Sequence, residues 1–423
     1  MLSVFLFLLA YVRSGIGALI LFILIILILL RMRKSHATAT VAPVYPKKRN
    51  FRGWYMKASA TNKYPVEVVD FDFYSKLYSR SHTIEGSVYG STFNYEGMAE
   101  GEKGREFKTS LPKYLDLRWF SLVDKELYSL EAKLPLKQIW ELFSKEYDDL
   151  LGWDENGKPV IGKVRLDVLD LCILPYGKVV LYMSSSGNPI KQEGSSCVLS
   201  VSPENNVRLL DWSRYGDNVE LLEDAWFYDP TGPKLLNEHM DWVLKNYPKI
   251  ELDKNFSLDS IDRYFERFAY RINLVFENGN TTFHLARVAY SNAEKCFFSS
   301  LDAPVEIEKP SFIKRYFFEW SYRNYAYEAE CSFCEEETMR IFDEAYGSDH
   351  DQDGVLNVIV HYDDQIEISL DVAGKKFFFE KMTIGVTRVS KIDKDGDYSK
   401  SDYETVYCLN CDDDNYVGEW SVY

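Results

Sequence analysis

An apolar run close to the start of the chain limits its fold most strongly. Residues 16–30 contain no charged side chain, and three basic residues follow at positions 31–34. A helix over this run would rise about 22 Å, less than the ~30 Å hydrocarbon core of a bilayer, but an extension back through Arg13 gives ample length. The run therefore predicts a transmembrane anchor over residues 1–30, which contacts the membrane through residues 2–30.

A cleaved signal peptide is the alternative for the same run. The basic residues follow the run instead of preceding it, and no small-x-small cleavage site comes after it. No cysteine stands close behind the run, so a lipoprotein attachment site is also missing. These features favour a retained single span.

The basic residues also predict the side of the membrane. Positions 31–34 and 47–49 hold six Lys or Arg residues, whereas only the terminal amine and Arg13 precede the apolar run. Because positive charge is retained on the inner side, the body is expected in the cytoplasm. The prediction is a single-pass protein of the inner (plasma) membrane, in which residues 31–50 form a polar, proline-containing tether.

Charge limits the partners of the body. The net charge of the 423 residues is −16, and the eight Lys and Arg residues among residues 1–52 stand without any acid, so the remainder carries 41 basic and 65 acidic residues. That balance of −24 repels phosphate backbones and argues against nucleic-acid binding. It suits a basic protein partner, although surface solubility is the commoner explanation of such a charge balance.

The first part of the body reads as strands with one helix. Apolar and polar residues alternate over Tyr64–Tyr78 and Tyr114–Leu134, as in half-buried strands. Pro135 then opens a predicted helix whose apolar residues Ile139 and Phe143 share one face.

Several residues of this part occur in an order typical of one protein family. They are Trp54, Tyr64-Pro65-Val66, Leu111-Pro112, Trp119, Ser121, Leu122, Tyr128, Pro175, Gly177 and Val179. With them, residues 51–250 resemble a bacterial family of unknown function, DUF2931-like. The resemblance implies a lipoprotein-type, periplasmic protein, and some members are encoded beside type VI secretion toxins, which implies immunity against such a toxin. The missing lipoprotein cysteine departs from the pattern, and the family offers no catalytic residues to carry over.

A second unit is expected over residues 251–423. Helices are predicted over 232–248 and 257–268, and Asn278-Gly279 between two alternating stretches predicts a β-hairpin. The helix "EEETMRIFDEAY" follows a strand-like stretch, as the first helix does.

The order of elements suggests an internal repeat. Tyr128, Phe143 and Tyr147 match Tyr327, Phe342 and Tyr346 at one constant offset, which favours two diverged copies, with convergent patterning as the competing explanation. The predicted fold class is α+β: a transmembrane helix and two tandem units, residues 51–250 and 251–423, each an antiparallel sheet packed with helices and the second ending in an acidic tail.

Four of the seven cysteines form two close pairs, Cys331 with Cys334 and Cys408 with Cys411. Four thiolates at such spacings are a candidate zinc site, although the stretch between the pairs is far longer than in compact zinc ribbons. Thiol redox chemistry and structural or disulfide-paired cysteines are the alternatives. Three glutamates directly after Cys334 would raise a thiol pKa and so oppose redox activity.

Acidic residues at Asp349, Asp351 and Asp353 precede Gly354 and resemble the start of a calcium loop. The twelfth position of such a loop needs a bidentate acid, and Val360 stands there. A turn is the competing interpretation.

No catalytic constellation stands out in the chain. It contains no GxSxG, HExxH, phosphate loop or GxGxxG. The sequence therefore predicts a membrane-anchored, non-enzymatic protein-binding module without a cofactor, with a zinc-binding or thiol-redox protein as the alternative.

Overall fold

The computed structural model describes most of the body of the chain. The described residues are 54–60, 66–74, 86–88, 106–107, 111–121, 126–153, 159–185, 197–201, 207–209, 257–302, 307–323, 325–390 and 403–410. The predicted anchor (1–30), the tether (31–50) and the helix over 232–248 lie outside them.

The secondary structure corrects the predicted α+β class. Of the described residues, 59% lie in strands and only 12% in helices. The three helices are α1 (Leu136–Ser144), α2 (Leu258–Tyr264) and α3 (Glu335–Tyr346). The stretches between them alternate with the two-residue period of a strand, and pairing with distant strands extends them into sheets. The fold is therefore mainly β.

The helices also correct the membrane prediction. None in the described part of the chain combines the length and the hydrophobicity that a bilayer crossing requires. The longest has 12 residues, a rise of about 18 Å, against the ~30 Å of a bilayer core. Within the described residues, this finding conflicts with the predicted transmembrane helix and with the single-pass inner-membrane location.

Two halves of the body each contain a pair of sheets. The strands of the first half are β1 (Trp54–Ala60), β2 (Val66–Tyr74), β3 (Gly86–Val88), β4 (Glu106–Phe107), β5 (Tyr114–Ser121), β6 (Glu126–Lys133), β7 (Tyr147–Trp153), β8 (Pro159–Val164), β9 (Val168–Ile173), β10 (Val179–Ser184), β11 (Leu199–Val201) and β12 (Val207–Leu209). Sheet A has the order β11-β10-β9-β1-β4, and sheet B the order β12-β6-β5-β2-β3. Strands β7 and β8 form a separate hairpin.

The second half repeats this plan. Its strands are β13 (Tyr270–Phe276), β14 (Thr282–Tyr290), β15 (Lys295–Phe298), β16 (Ile313–Tyr322), β17 (Tyr325–Phe333), β18 (Gly354–Val360), β19 (Ile366–Val372), β20 (Lys375–Phe378), β21 (Met382–Ser390) and β22 (Tyr403–Leu409). Sheet C has the order β13-β18-β19-β20, and sheet D the order β15-β14-β16-β17-β21-β22.

The two halves share strand order and strand direction. The parallel pair β1–β9 of sheet A corresponds to the parallel pair β13–β18 of sheet C. The pairing of β2 with β5 is interrupted between Val68 and Asp70, and that of β14 with β16 between Phe283 and Leu285. Strand β4 of the first half and strand β22 of the second stand outside the common plan.

Aromatic pairs occupy matching places in the two halves. The rings of Trp119 and Tyr128 stack at 5.3 Å across β5 and β6. Those of Trp320 and Tyr327 stack at 5.1 Å across β16 and β17. Among the residues that suggested a repeat, Tyr128 and Tyr327 lie in equivalent strands, and Phe143 and Phe342 in equivalent helices.

The sheets of each half pack face to face through aromatic side chains. In the first half Trp54 of sheet A meets Phe73 of sheet B with ring centroids 6.0 Å apart. In the second half Phe276 of sheet C lies 5.7 Å from Trp320 of sheet D. Helix α3 covers one end of this core, where Phe342 contacts Tyr270 at 5.2 Å.

One local prediction about pairing is wrong. Asn278-Gly279 does not close a hairpin, because β13 pairs in parallel with β18 of sheet C, whereas β14 pairs with β15 and β16 of sheet D. The turn instead carries the chain from one sheet to the other, and Thr281 donates its backbone N–H and its hydroxyl to the carbonyl of Asn278.

The halves meet where sheet A touches the β14–β15 turn. Contacts group Arg52–Tyr423 into one compact unit. Val198, just before β11, and Lys295 exchange two backbone hydrogen bonds of 3.0 and 2.9 Å. The Tyr182 hydroxyl donates to the Asn292 carbonyl at 2.7 Å. The domain boundary predicted between residues 250 and 251 falls outside the described residues and stays a prediction.

Candidate functional site

The structure separates the cysteines predicted to bind zinc. Cys331 and Cys334 are buried free thiols, whereas Cys408 is exposed and disulfide-bonded. Cys331 lies opposite Ile384 on β21, and Ile384 lies opposite Leu409 on β22, so these three side chains share one face of sheet D. Cys408 precedes Leu409 in β22 and therefore points to the opposite face. Cys411 lies outside the described residues.

This arrangement does not favour zinc or redox chemistry at these cysteines. Nowhere in the described ranges do three or more His, Cys, Asp or Glu side chains form a group that could hold a metal ion. Burial, with a smaller contribution from Glu330, raises the pKa of the Cys331 thiol, so little reactive thiolate is present. The zinc site stays a prediction that the described geometry does not support.

The three predicted calcium ligands form a turn after α3. The backbone N–H of Asp351 donates to the Asp349 carboxylate at 3.2 Å, a local Asx-type contact. The ammonium of Lys309 pairs with the Asp351 carboxylate and lowers its pKa. Burial is the main cause of the raised pKa of Tyr346, and the nearby charge of Asp353 adds to it. A carboxylate already paired with lysine is a poor calcium ligand, so the turn interpretation fits these contacts.

A different surface of the second half has the features of a binding site. We define the sheet C face as the side of sheet C that points away from sheet D. Its side chains are Arg271, Asn273, Val275, Val355, Asn357, Ile359, Glu367, Ser369, Asp371, Lys376 and Phe378. The alternating residues of β18 and β19 point the other way and are buried in the core.

A row of hydrogen-bonded polar side chains crosses this face. The amide of Asn273 on β13 donates to the side-chain oxygen of Asn357 on β18 at 2.8 Å. The amide of Asn357 donates in turn to Asp371 Oδ2 on β19 at 3.0 Å. The row holds its members in fixed rotamers and presents a carboxylate at its end.

Two buried polar atoms beside this row have no hydrogen-bond partner within the described part of the chain. They are Asp371 Oδ1 and Ser369 Oγ. The Ser369 side chain is 1% exposed and pairs across the strands with Asn357. An unsatisfied buried polar group costs about 1–3 kcal/mol. A ligand that donates hydrogen bonds here would recover that free energy.

Exposed apolar side chains lie on both edge strands of sheet C and in one of its turns. Phe378 on β20 is 48% exposed and Val275 on β13 is 41% exposed. Tyr362, in the turn between β18 and β19, is 72% exposed. Large apolar side chains gathered near polar acceptors are typical of protein-binding surfaces.

The equivalent face of the first half is covered by a segment of the same chain. Loops of equal length, 174–178 and 361–365, join β9 to β10 and β18 to β19, so Tyr182 is the counterpart of Ser369. The β14–β15 turn covers the sheet A face at that position: Tyr182 donates to Asn292, and the Ser200 hydroxyl donates to Glu294 Oε1 at 2.6 Å. The shared plan thus provides one face that is covered within the chain and one that is not covered by any described segment.

Sequence reasoning did not find this face. Asn273, Asn357 and Asp371 stand at polar positions of alternating strands, as solvent-facing residues do. The internal repeat could have indicated this face. When β9–β10 is aligned with β18–β19, the small polar Ser369 takes the position of the buried Tyr182. The weak match between the halves concealed that alignment.

Comparisons with known proteins find a family model that matches part of the chain, and nothing more specific. Residues 40–209 match the family model described as "Protein of unknown function (DUF2931)". The match confirms the resemblance noted from the sequence and covers the first half. A search of curated proteins and a search of solved structures each gave no match.

Proposed function

We propose that this chain, whose residues 40–209 match the DUF2931 family of unknown function, is a non-enzymatic protein-binding module that binds its partner through the sheet C face. The observation that carries the proposal is the pair of equivalent faces. One is covered by a protein turn through Tyr182 and Ser200. The other has two buried polar atoms without a hydrogen-bond partner in the described part of the chain, beside exposed apolar side chains.

The chemistry of the face indicates what a partner has to supply. Asp371 Oδ1 and Ser369 Oγ are both able to accept a hydrogen bond, so the partner has to donate. A charge-assisted donor such as Arg or Lys would gain most at the carboxylate. The net charge of −16 for the chain steers basic partners toward it and increases their association rate.

The family resemblance narrows this proposal further. Because some family members are encoded beside type VI secretion toxins, we propose immunity against a secreted toxin as the biological purpose of the binding. Support for this step comes from the resemblance alone. Co-expression tests it: the chain should restore growth of cells that produce the toxin encoded next to its gene, and unrestored growth would contradict the immunity role while leaving the binding proposal open.

Affinity capture from an extract of the source organism tests the binding proposal. The full chain serves as bait in three forms: wild type, the face variant Asp371→Ala with Phe378→Ala, and the control Glu141→Ala with Leu209→Ala. Glu141 and Leu209 are exposed side chains of the first half. We expect a protein that wild type and control recover at least about tenfold more than the face variant, since hot-spot truncations cost about 2 kcal/mol.

Two checks make this comparison decisive. Thermal unfolding has to show that the face variant is folded, because only then does a loss of capture report binding. Equal recovery of every captured protein by the face variant and the wild type would refute the proposal that this face binds the partner.

A further inference from the structure

Two cysteines face each other across the joint between the halves. Cys197 directly precedes Val198, and Cys296 directly follows Lys295. Because Val198 and Lys295 form an antiparallel bridge, the residue before the first lies opposite the residue after the second. Both cysteines are thiols, and both are buried, with 2% and 1% of their surface exposed. The bridge therefore brings together two thiols from different halves of the chain.

The hydrogen bonds of the bridge define the spacing of these thiols. Val198 and Lys295 exchange two backbone hydrogen bonds of 3.0 and 2.9 Å, so they are a hydrogen-bonded pair. In an antiparallel ladder the next pair is a non-hydrogen-bonded one, whose Cα atoms lie ~4.5 Å apart and whose side chains share one face. Disulfides join residues whose Cα atoms are about 4.4–6.8 Å apart. The backbone at Cys197 and Cys296 thus has the geometry that a disulfide requires.

Two other buried cysteines of the described chain have different neighbours across the strands. Cys172 lies opposite Ser59 on β1 and Val180 on β10. Cys331 lies opposite a tyrosine on β16 and an isoleucine on β21. Cys172 therefore serves as a comparison for the pair at the joint, because it is equally buried but has no cysteine opposite it in either strand.

We propose that Cys197 and Cys296 are a redox-sensitive pair that forms a disulfide between the two halves under oxidising conditions. The oxidant is a small-molecule disulfide such as oxidised glutathione. The thiolate of one cysteine attacks a sulfur of the oxidant and releases one glutathione thiolate. The thiolate of the other cysteine then attacks the protein sulfur of the mixed disulfide and releases the second glutathione thiolate. The two protons lost by the cysteines end on the two glutathione thiols.

A local opening of the joint gives the oxidant access to the buried pair. Lys295 is the first residue of β15, and Val198 stands just before β11. The bridge between them is a single pair with two backbone hydrogen bonds. Such strand ends open at a lower free energy than the centre of a sheet. Closing of the joint then brings the two sulfurs together.

The disulfide would hold the joint covalently. It closes a loop of about 100 residues, which removes conformational entropy from the unfolded chain. It also fixes the β14–β15 turn on the sheet A face, because Asn292 and Glu294, which contact that face, stand directly before the bonded strand. This inference is independent of the proposed function, which concerns the sheet C face.

Disulfide mapping of the full chain tests the inference. The protein is incubated with dithiothreitol or with oxidised glutathione, each in buffer alone and in urea below the unfolding midpoint, which admits the oxidant. Remaining thiols are alkylated, and tryptic peptides are analysed by mass spectrometry without reduction. We expect a peptide that joins Cys197 to Cys296 in the oxidised samples and not in the reduced ones.

Thermal unfolding provides a second measurement. Oxidation should raise the unfolding midpoint of the wild type by about 5 °C or more, because the bond closes a long loop. Cys197→Ala should lose this rise, and the control Cys172→Ala should keep it. Each variant is compared with its own reduced form, so that a loss of stability caused by the substitution itself does not affect the comparison.

Three results would overturn the inference. The first is the absence of the joining peptide from every oxidised sample, with or without urea. The second is a glutathione adduct on Cys197 or Cys296 that persists without converting to the joining peptide, because the two sulfurs then do not meet. The third is a joining peptide found in dimers alone, which would link two chains instead of the two halves of one.

Discussion

At Gly354 the second half has no room for a side chain. A Cβ atom there would lie 2.0 Å from the Tyr346 hydroxyl oxygen and 3.2 Å from the Tyr270 Cβ. The Tyr346 hydroxyl donates to the Ala269 carbonyl at 3.0 Å, and its ring stacks on Phe342, so it cannot yield without losing both contacts. The glycine that resembled part of a calcium loop is therefore required for the packing of α3 on β13.

Gly354→Ala should destabilise the protein by about 1–3 kcal/mol, because overpacking displaces the tyrosine. The free energy of unfolding in urea measures the effect. Gly385→Ala is the matched control, since Gly385 also lies in a strand and a Cβ there meets nothing within 4 Å; its effect should stay within about 0.5 kcal/mol. Equal losses in the two variants would show that crowding at Tyr346 is not the cause.

Cys331 should resist thiol reagents while the protein is folded. Burial is the main cause of its raised pKa, so the reactive thiolate is scarce and the sulfur is shielded. We expect no labelling of Cys331 by an aromatic disulfide reagent at pH 8 in native protein, and rapid labelling in guanidinium, with peptide mapping as the readout. Cys172, whose pKa burial also raises, is an internal comparison. Rapid native labelling of Cys331 alone would revive the redox alternative.

Individual elements were predictable where their signal is local. The stretch from Glu335 to Tyr346 was expected as a helix after a strand-like stretch, and it forms α3 with those bounds. Alternation located β2, β5 and β6 within the expected stretches. Pairing was not predictable, because the parallel contact of β13 with β18 joins segments far apart in the sequence, and no local residue pattern encodes it.

The β7–β8 hairpin shows how one element connects both halves. Leu150 on β7 is buried in a cluster with Leu285 and Phe297 of the second half. The Ser299 hydroxyl donates to Asp148 Oδ2 at 2.7 Å beside it. The second half has no equivalent hairpin between α3 and β18, so the comparison of the two halves could not predict it. The hairpin nevertheless covers part of sheet D.

Leu150→Ala should cost about 2–4 kcal/mol, because it leaves a cavity in this cluster. Hydrogen exchange should also accelerate in β14 and β15, which belong to the other half. Val160→Ala in the same hairpin is the control: Val160 is 42% exposed, so a change below about 1 kcal/mol is expected. Unchanged exchange in β14 and β15 would mean that the hairpin does not stabilise the second half.

At the scale of the whole molecule, the joint between the halves is a polar network with a buried charge. Glu294 accepts hydrogen bonds from the Ser200 backbone N–H and hydroxyl and from both terminal nitrogens of Arg267. Its side chain is 3% exposed. Ser200 belongs to the first half and Arg267 to the second, so one carboxylate joins elements that the sequence separates.

Breaking this network should uncouple the halves. Glu294→Ala removes the acceptor that Arg267 and Ser200 share. Arg267 is 38% exposed and keeps the Lys309 carbonyl, so the expected cost is about 1–3 kcal/mol. Because the lost contacts cross the joint, calorimetry should resolve two unfolding transitions in the variant where the wild type shows one. Glu404→Ala is the control, since it removes the exposed ion pair with Arg388 inside sheet D, worth about 0–1 kcal/mol, and should preserve a single transition. A single, unshifted transition in Glu294→Ala would show that the apolar contacts alone hold the halves together.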